Sequence, residues 1–246
     1  FYALNSLHIG TLSFDILLVT LSLMYVTSYH GDFLSVDSLL RIDPHFTTIF
    51  CVSMVNILMT ALTCMMVCLF ALERLMFAKR LAVVLSLAYG LATMAWAQSE
   101  DFMSEPATTL FLLCAVYFIT DVSALKKNRN TILAGSFLGL ALLVRLAALI
   151  AIPALVVYII HTWMSSPRKP KDLVLSLARF GVPLFLFIGI IFVYTHIRFD
   201  NIFESGYDSD FRADILLGLY GLLFSPGKSF FLYNPPAIIG LLGIGC

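Results

Sequence analysis

The stretch FTTIFCVSMVNILMTALTCMMVCLFAL, residues 46–72, decides the fold. It carries no charged side chain, and Asn56 is its one strongly polar residue. A bilayer crossing takes about 20 such residues, so this segment predicts a transmembrane helix. Working outward, Leu81–Ala97, Pro106–Thr120 and Phe180–Tyr194 read as further spans, and Ala237 opens another. The whole chain agrees, with 60% hydrophobic and 12% charged residues and a mean hydropathy of +0.95. A water-soluble domain carries about 25% charge. The apolar residues run on without alternation, which excludes a membrane barrel. A net charge of zero removes the electrostatic case for nucleic acid.

The expected fold is all-α, a polytopic transmembrane helical bundle with external juxtamembrane helices and loops. Residues 1–246 form one membrane-embedded domain, with 1–45 as an external juxtamembrane segment and 46–246 as transmembrane helices and loops. The segment TLSFDILLVTLSLMYV near the start, with Asp15 and several hydroxyls, reads equally as a span or as a helix lying on the membrane surface. The chain opens at Phe1 and stops at Cys246 within an apolar run, which predicts an internal fragment of a longer membrane protein. Cys64 and Cys68 stand one helical turn apart. With no second pair and no nearby His, they read as packing residues rather than a metal pair.

The loops separate by charge. ERLMFAKR (73–80), ALKKNRN (124–130) and SSPRKPK (165–171) are basic, whereas AQSEDFMSEP (97–106) and RFDNIFESGYDSDFRAD (198–214) are acidic. The positive-inside rule puts the basic set in the cytoplasm. Residues 131–160 lie between two basic loops and therefore cross an even number of times. Two short helices turning at Arg145 near the external face satisfy that. One long tilted helix would bury Arg145 in mid-membrane, at a cost of several kcal/mol unless it is paired. On the hairpin reading Asp15, the two acidic loops, Arg145 and the segment SPGKS (225–229) gather at one external face.

GLLFSPGKSFFLYNPP (221–236) contains Gly-Lys-Ser, yet Gly221 to Gly227 leaves five intervening residues where a phosphate-binding Walker loop has four. It also lies between membrane segments, so no nucleotide is expected. Pro226-Gly227 forces a tight turn beside Lys228, which reads equally as a phosphate contact and as a snorkelling lysine.

Taken in order, YGLATMAWAQSEDFMSEP (89–106), GLALLVRLAALIAIPAL (139–155), RFDNIFESGY (198–207) and GLLFSPGKSFFLYNPP resemble the GT-C class of multi-span glycosyltransferases. That class includes protein O-mannosyltransferases and lipid A aminoarabinose transferases. The resemblance implies a multi-pass protein of the plasma membrane, or of the endoplasmic reticulum in a eukaryote. It implies inverting transfer of mannose or a related sugar from a polyprenyl-phosphate-linked donor. The acceptor is a hydroxyl of a glycan, lipid or protein at the external or luminal face. Membrane lipids complete the expected partners. Asp15 occupies the position of the catalytic acid, followed by Ile16 where the class often pairs Asp with Glu. RIDPHFTTIF (41–50) stands where the class has a Lys-Tyr-Pro-Pro-Gly-like segment.

Such a transfer needs a carboxylate to take the acceptor proton and cations to meet charge on the leaving phosphate. Asp15 is the expected base, with Glu100, Asp101 and Glu105 as rivals. Arg145 and Lys228 are the expected cations, with Arg198 and Arg212 behind them. Arg198 and Arg212 also read as solvated partners of the nearby acids. Glu100, Asp101, Glu105, Arg145, Arg198, Tyr207 and Lys228 form the expected substrate-binding set. Ser104-Glu105-Pro106 reads independently as a helix start. No cofactor is expected beyond the donor lipid. The 198–214 loop lacks calcium-loop spacing, and dependence on a divalent metal stays open. The rival reading is a transporter or flippase, for which mid-membrane polar residues and repeated halves are expected.

Overall fold

The computed structural model describes residues 44–100, 103–121, 128–165, 170–200, 215–225 and 229–243. Among them the fold is all-helical, with three helices long and apolar enough to cross a membrane, or four if one bent pair counts as a single span.

The first helix, α1 (Pro44–Glu73), has Pro at its first position and no glycine to interrupt it, as favours a long helix. It ends by curling back on itself. The N–H of Leu75 bonds the Phe70 carbonyl at 3.2 Å, Met76 adopts φ 56°, and the N–H of Phe77 closes onto the carbonyl of Ala71 at 3.0 Å, satisfying carbonyls that the helix end leaves open. The chain then returns along α1 as α2 (Lys79–Leu91). Ser86 Oγ donates to the Cys64 carbonyl at 2.6 Å, which joins the two antiparallel helices.

Leu81–Ala97, expected as one span, is two helices. α2 stops at Leu91 and α3 (Met94–Glu100) leaves at 53° to it. Thr93 causes the break: its hydroxyl donates to the Tyr89 carbonyl at 2.6 Å and accepts from the Ala95 N–H at 3.1 Å. A side chain that bonds its own backbone offers the chain an alternative to continuing the helix. The first residues of the expected acidic loop, 97–100, are therefore helical.

α4 (Glu105–Ile119) begins with Glu105 and Pro106 in its first turn, a start favoured by dipole and ring geometry. It runs parallel to α1, because Asn56 reaches Met103 near its start and Glu73 and Arg74 reach Tyr117 and Asp121 at its end. α5 (Asn128–Val144) returns antiparallel to α4, with Asn130 bonded to Asp121. Phe118 and Phe137 stack across this pair at 5.5 Å.

A 3-10 turn (Leu146–Ile150) then leads into α6 (Ala151–Met164). α7 (Pro170–Phe199) is longer than the expected Phe180–Tyr194 span. Pro170 at its first position and Asp172 in its first turn start the helix ahead of the apolar run, so the end of the expected basic loop is helical. α7 packs parallel to α5. A Cβ on Gly135 would lie 2.1 Å from the Phe180 carbonyl oxygen, and one on Gly139 2.2 Å from the Phe187 ring. Small residues one turn apart let two helices approach closely.

Because α5 and α7 point the same way, residues 145–169 must carry the chain back between them. This supports two crossings for 131–160 over one long helix. The core lies between α4, α5 and α7, where Ala115, Ala134, Leu138, Ala141 and Leu142 are buried. Large apolar side chains such as Val84, Val157, Val182 and Phe185 face outward, as suits a bundle bathed in lipid. α8 (Ile215–Phe224), α9 (Phe230–Tyr233) and α10 (Pro235–Gly243) complete the described chain.

Candidate functional site

These helix directions bring the end of α2, all of α3, the start of α4, and the ends of α5 and α7 to one end of the bundle. At that end Arg145 interrupts the apolar chain. Its backbone is extended (φ −153°, ψ 122°) between α5 and the 3-10 turn. Its N–H still bonds Ala141 at 2.9 Å, and its carbonyl accepts from Ala148 at 3.1 Å. The helix stops here, the direction changes and the side chain emerges at the corner.

The Arg145 guanidinium donates through Nη1 to Oε1 of Glu105. Glu105 thus opens α4, as its helix-start reading expected, and also holds a cation, a role the sequence did not suggest. The Arg145 side chain remains 42% exposed and Glu105 31%. A guanidinium has five N–H donors, so an anion reaching this corner finds charge and hydrogen bonds already oriented.

Glu100 is exposed on the last position of α3. Arg198 lies in the last turn of α7 rather than in a loop. Its Nη1 donates to Tyr194 Oη at 2.9 Å, and its guanidinium sits 5.3 Å from the centre of the Phe199 ring. The last helical turn puts an aromatic side chain four residues back and another beside it, with Arg198 still exposed; of the acids expected as its partners, Glu204, Asp208, Asp210 and Asp214 lie outside the described residues. Asp15, Asp101, Tyr207 and Lys228, with Arg212, lie outside the described residues.

Two asparagines bracket the acidic segment. Buried Asn56 donates through Nδ2 to the Met103 carbonyl at 2.9 Å, fixing the approach to Glu105. Asn234 accepts at Oδ1 from the Met94 N–H at 3.1 Å and donates through Nδ2 to the Phe230 carbonyl at 2.9 Å. Asn234 thus reaches a helix start 140 residues earlier. No spacing in the sequence points to that partner. Just before it, the buried Ser229 hydroxyl donates to the Leu223 carbonyl at 2.6 Å and accepts from the Leu232 N–H at 3.3 Å, capping α9.

The opposite end carries a network that the sequence reading treated as basic loop. Arg74 Nε donates to the Tyr117 carbonyl at 3.2 Å, and its guanidinium lies 4.3 Å from the Tyr117 ring centre. Arg74 also approaches Asp121 at 3.8 Å. Asp121 accepts from Asn130 at 2.6 Å, and Tyr117 donates its hydroxyl to Glu73. Among the described residues no group of three or more His, Cys, Asp or Glu side chains is placed to hold a metal ion.

Apolar helices with charge gathered at the two ends define an integral membrane protein, and an exposed acid–cation corner distinguishes one end from the other. Residues 44–188 match the family described as dolichyl-phosphate-mannose-protein mannosyltransferase. The match covers more than half the chain, which therefore belongs to this family of GT-C-like membrane glycosyltransferases. It includes Glu105, Arg145 and the helices that hold them, whereas the segment 221–236 lies beyond it. No curated protein and no solved structure matches the chain.

Proposed function

We propose that the protein transfers mannose or a related sugar from a polyprenyl-phosphate-linked donor to an acceptor hydroxyl. The acceptor belongs to a protein, lipid or glycan, and transfer takes place at the external or luminal face of a multi-pass membrane protein. The observation that carries this reading is the Glu105–Arg145 corner, formed by two helices inside the family match and presented at the end away from the basic loops. By the positive-inside rule, that end is the external one.

The acceptor oxygen attacks the anomeric carbon as the bond from that carbon to the phosphate oxygen breaks, inverting the centre. The hydroxyl proton passes to a carboxylate. The leaving lipid phosphate takes the electron pair and gains a negative charge, which Arg145 meets, with Lys228 as its partner. Glu105 already accepts from Arg145, so protonating that oxygen would break the pair. This favours Glu105 as the group that orients Arg145 and leaves the base to Asp15, with Glu100 and Asp101 as rivals. Arg198 and Tyr207 complete the proposed substrate contacts.

The test is consumption of polyprenyl-phosphate-mannose by membranes containing the protein. Arg145→Ala is expected to lose at least about 10²-fold in turnover at matched expression, as removal of a charge stabiliser does. Arg145→Lys should keep part of the activity, since the charge remains and the planar fork is lost. Wild-type membranes that leave the donor intact, while moving it across the bilayer, would overturn transfer in favour of transport.

A further inference from the structure

Seven-residue α3 is too short to hold itself: an isolated helix needs roughly 12–15 residues even in favourable sequences. Its first N–H groups have no intrahelical acceptor, so its direction depends on what receives them. Thr93 receives one, from Ala95. The Thr93 carbonyl receives a second, from Trp96 at 3.3 Å, and Asn234, on a segment 140 residues away, receives that of Met94. A helix normally takes its cap from the residue just before it, as Thr93 provides here; the N–H of Met94 is instead met by a side-chain carbonyl from elsewhere in the fold.

The Asn234 amide is held for that purpose. Nδ2 bonds the Phe230 carbonyl, which turns Oδ1 towards Met94. The amide has a donor side and an acceptor side, and both are used. From Met94 the chain runs through Glu100 to Met103, where Asn56 takes the carbonyl, and then to Glu105 and its bond to Arg145. The acidic segment thus hangs between two asparagines, one on α1 and one beyond α9. Among the described residues, the Asn234 bond ties it to the C-terminal part of the chain.

We infer that Asn234 is a positioning residue for the acid-bearing segment 94–105: it caps α3 from a distance and fixes where Glu100 and Glu105 stand relative to Arg145. This rests on the proposed transferase reading for its kinetic consequence, though not for the contact itself.

The test compares Asn234→Leu, which removes both bonds at similar volume, with Asn234→Asp, which keeps the acceptor and adds a charge favourable at a helix start. Amide hydrogen exchange of the peptide covering 91–97 is read in purified full-length protein. Turnover of polyprenyl-phosphate-mannose is read alongside. Asn234→Leu is expected to speed exchange in that peptide and to lower kcat by on the order of 10- to 10²-fold, as misplacement of reacting groups does. Its donor KM should stay within about twofold, because the charge on Arg145 that draws the phosphate is untouched. Asn234→Asp is expected to restore exchange protection and most of kcat. A Leu variant with unchanged exchange would overturn the cap, and faster exchange with unchanged kcat would overturn the positioning role. If wild type consumes no donor, the transferase reading falls, while the exchange comparison still decides whether Asn234 holds α3.

Discussion

At one end of the bundle Arg74 is enclosed. Its side chain is 15% exposed, over an aromatic ring, bonded to a carbonyl and beside Asp121, itself 20% exposed. At the other end Arg145 has one carboxylate among the described residues, no helix continuing through it, and 42% of its side chain open. Both are arginines next to acids at helix ends, yet the surroundings give them different work. Where the guanidinium is covered by a ring and shut away from solvent, the ion pair fastens helices together. Where it stays open, the acid holds the cation ready for something else. Exposure separates a clasp from a site.

The most damaging change strikes what keeps the two ends in register. Gly135→Leu drives a side chain into the backbone of α7, where even a Cβ has no room. We expect a loss of more than about 3 kcal/mol, read as failure to accumulate or a collapsed thermal transition in detergent. Tolerance of that residue would mean that α5 and α7 do not pack as described. Next comes the clasp itself. Arg74→Ala takes the cation from beside Asp121 and a donor from the Tyr117 carbonyl and should cost about 2 kcal/mol of stability, with turnover per folded molecule held within about twofold. Activity lost without stability would erase the distinction between the two ends. The smallest stability effect belongs to Glu105→Gln: an exposed pair contributes less than about 1 kcal/mol. Its thermal transition should hardly move while turnover falls, and a fall in stability like that of Arg74→Ala would make this corner a second clasp.

The spans were legible because apolar runs longer than a bilayer have few alternatives. Their ends were less so. Nothing between Tyr89 and Trp96 lowers the apolar character enough to announce a break; Thr93 makes it through its hydroxyl, and a residue from the far end of the chain secures it. α7 begins at Pro170 among basic residues because helix starts follow backbone caps rather than hydropathy. Glu105 and Arg145 were both legible as charged residues at span ends. Their pairing follows only from the antiparallel register of α4 and α5, which periodicity does not encode. Asn234 gave no signal, since a side chain reaching 140 positions back leaves no pattern in its own neighbourhood.

Helix lengths give the Arg145 corner a depth. At about 1.5 Å per residue, the fifteen residues of α4 and seventeen of α5 rise about 22 and 26 Å, while the thirty of α7 rise about 45 Å. A hydrocarbon layer is about 30 Å thick. Short helices beside a long one leave a mismatch that the bilayer meets by thinning. Counted from the basic end, the Arg145 corner stands short of the full thickness of such a layer. On the proposed transferase reading, a charged head group carried on a lipid tail would reach Arg145 by sliding sideways in the membrane plane, without rising into water.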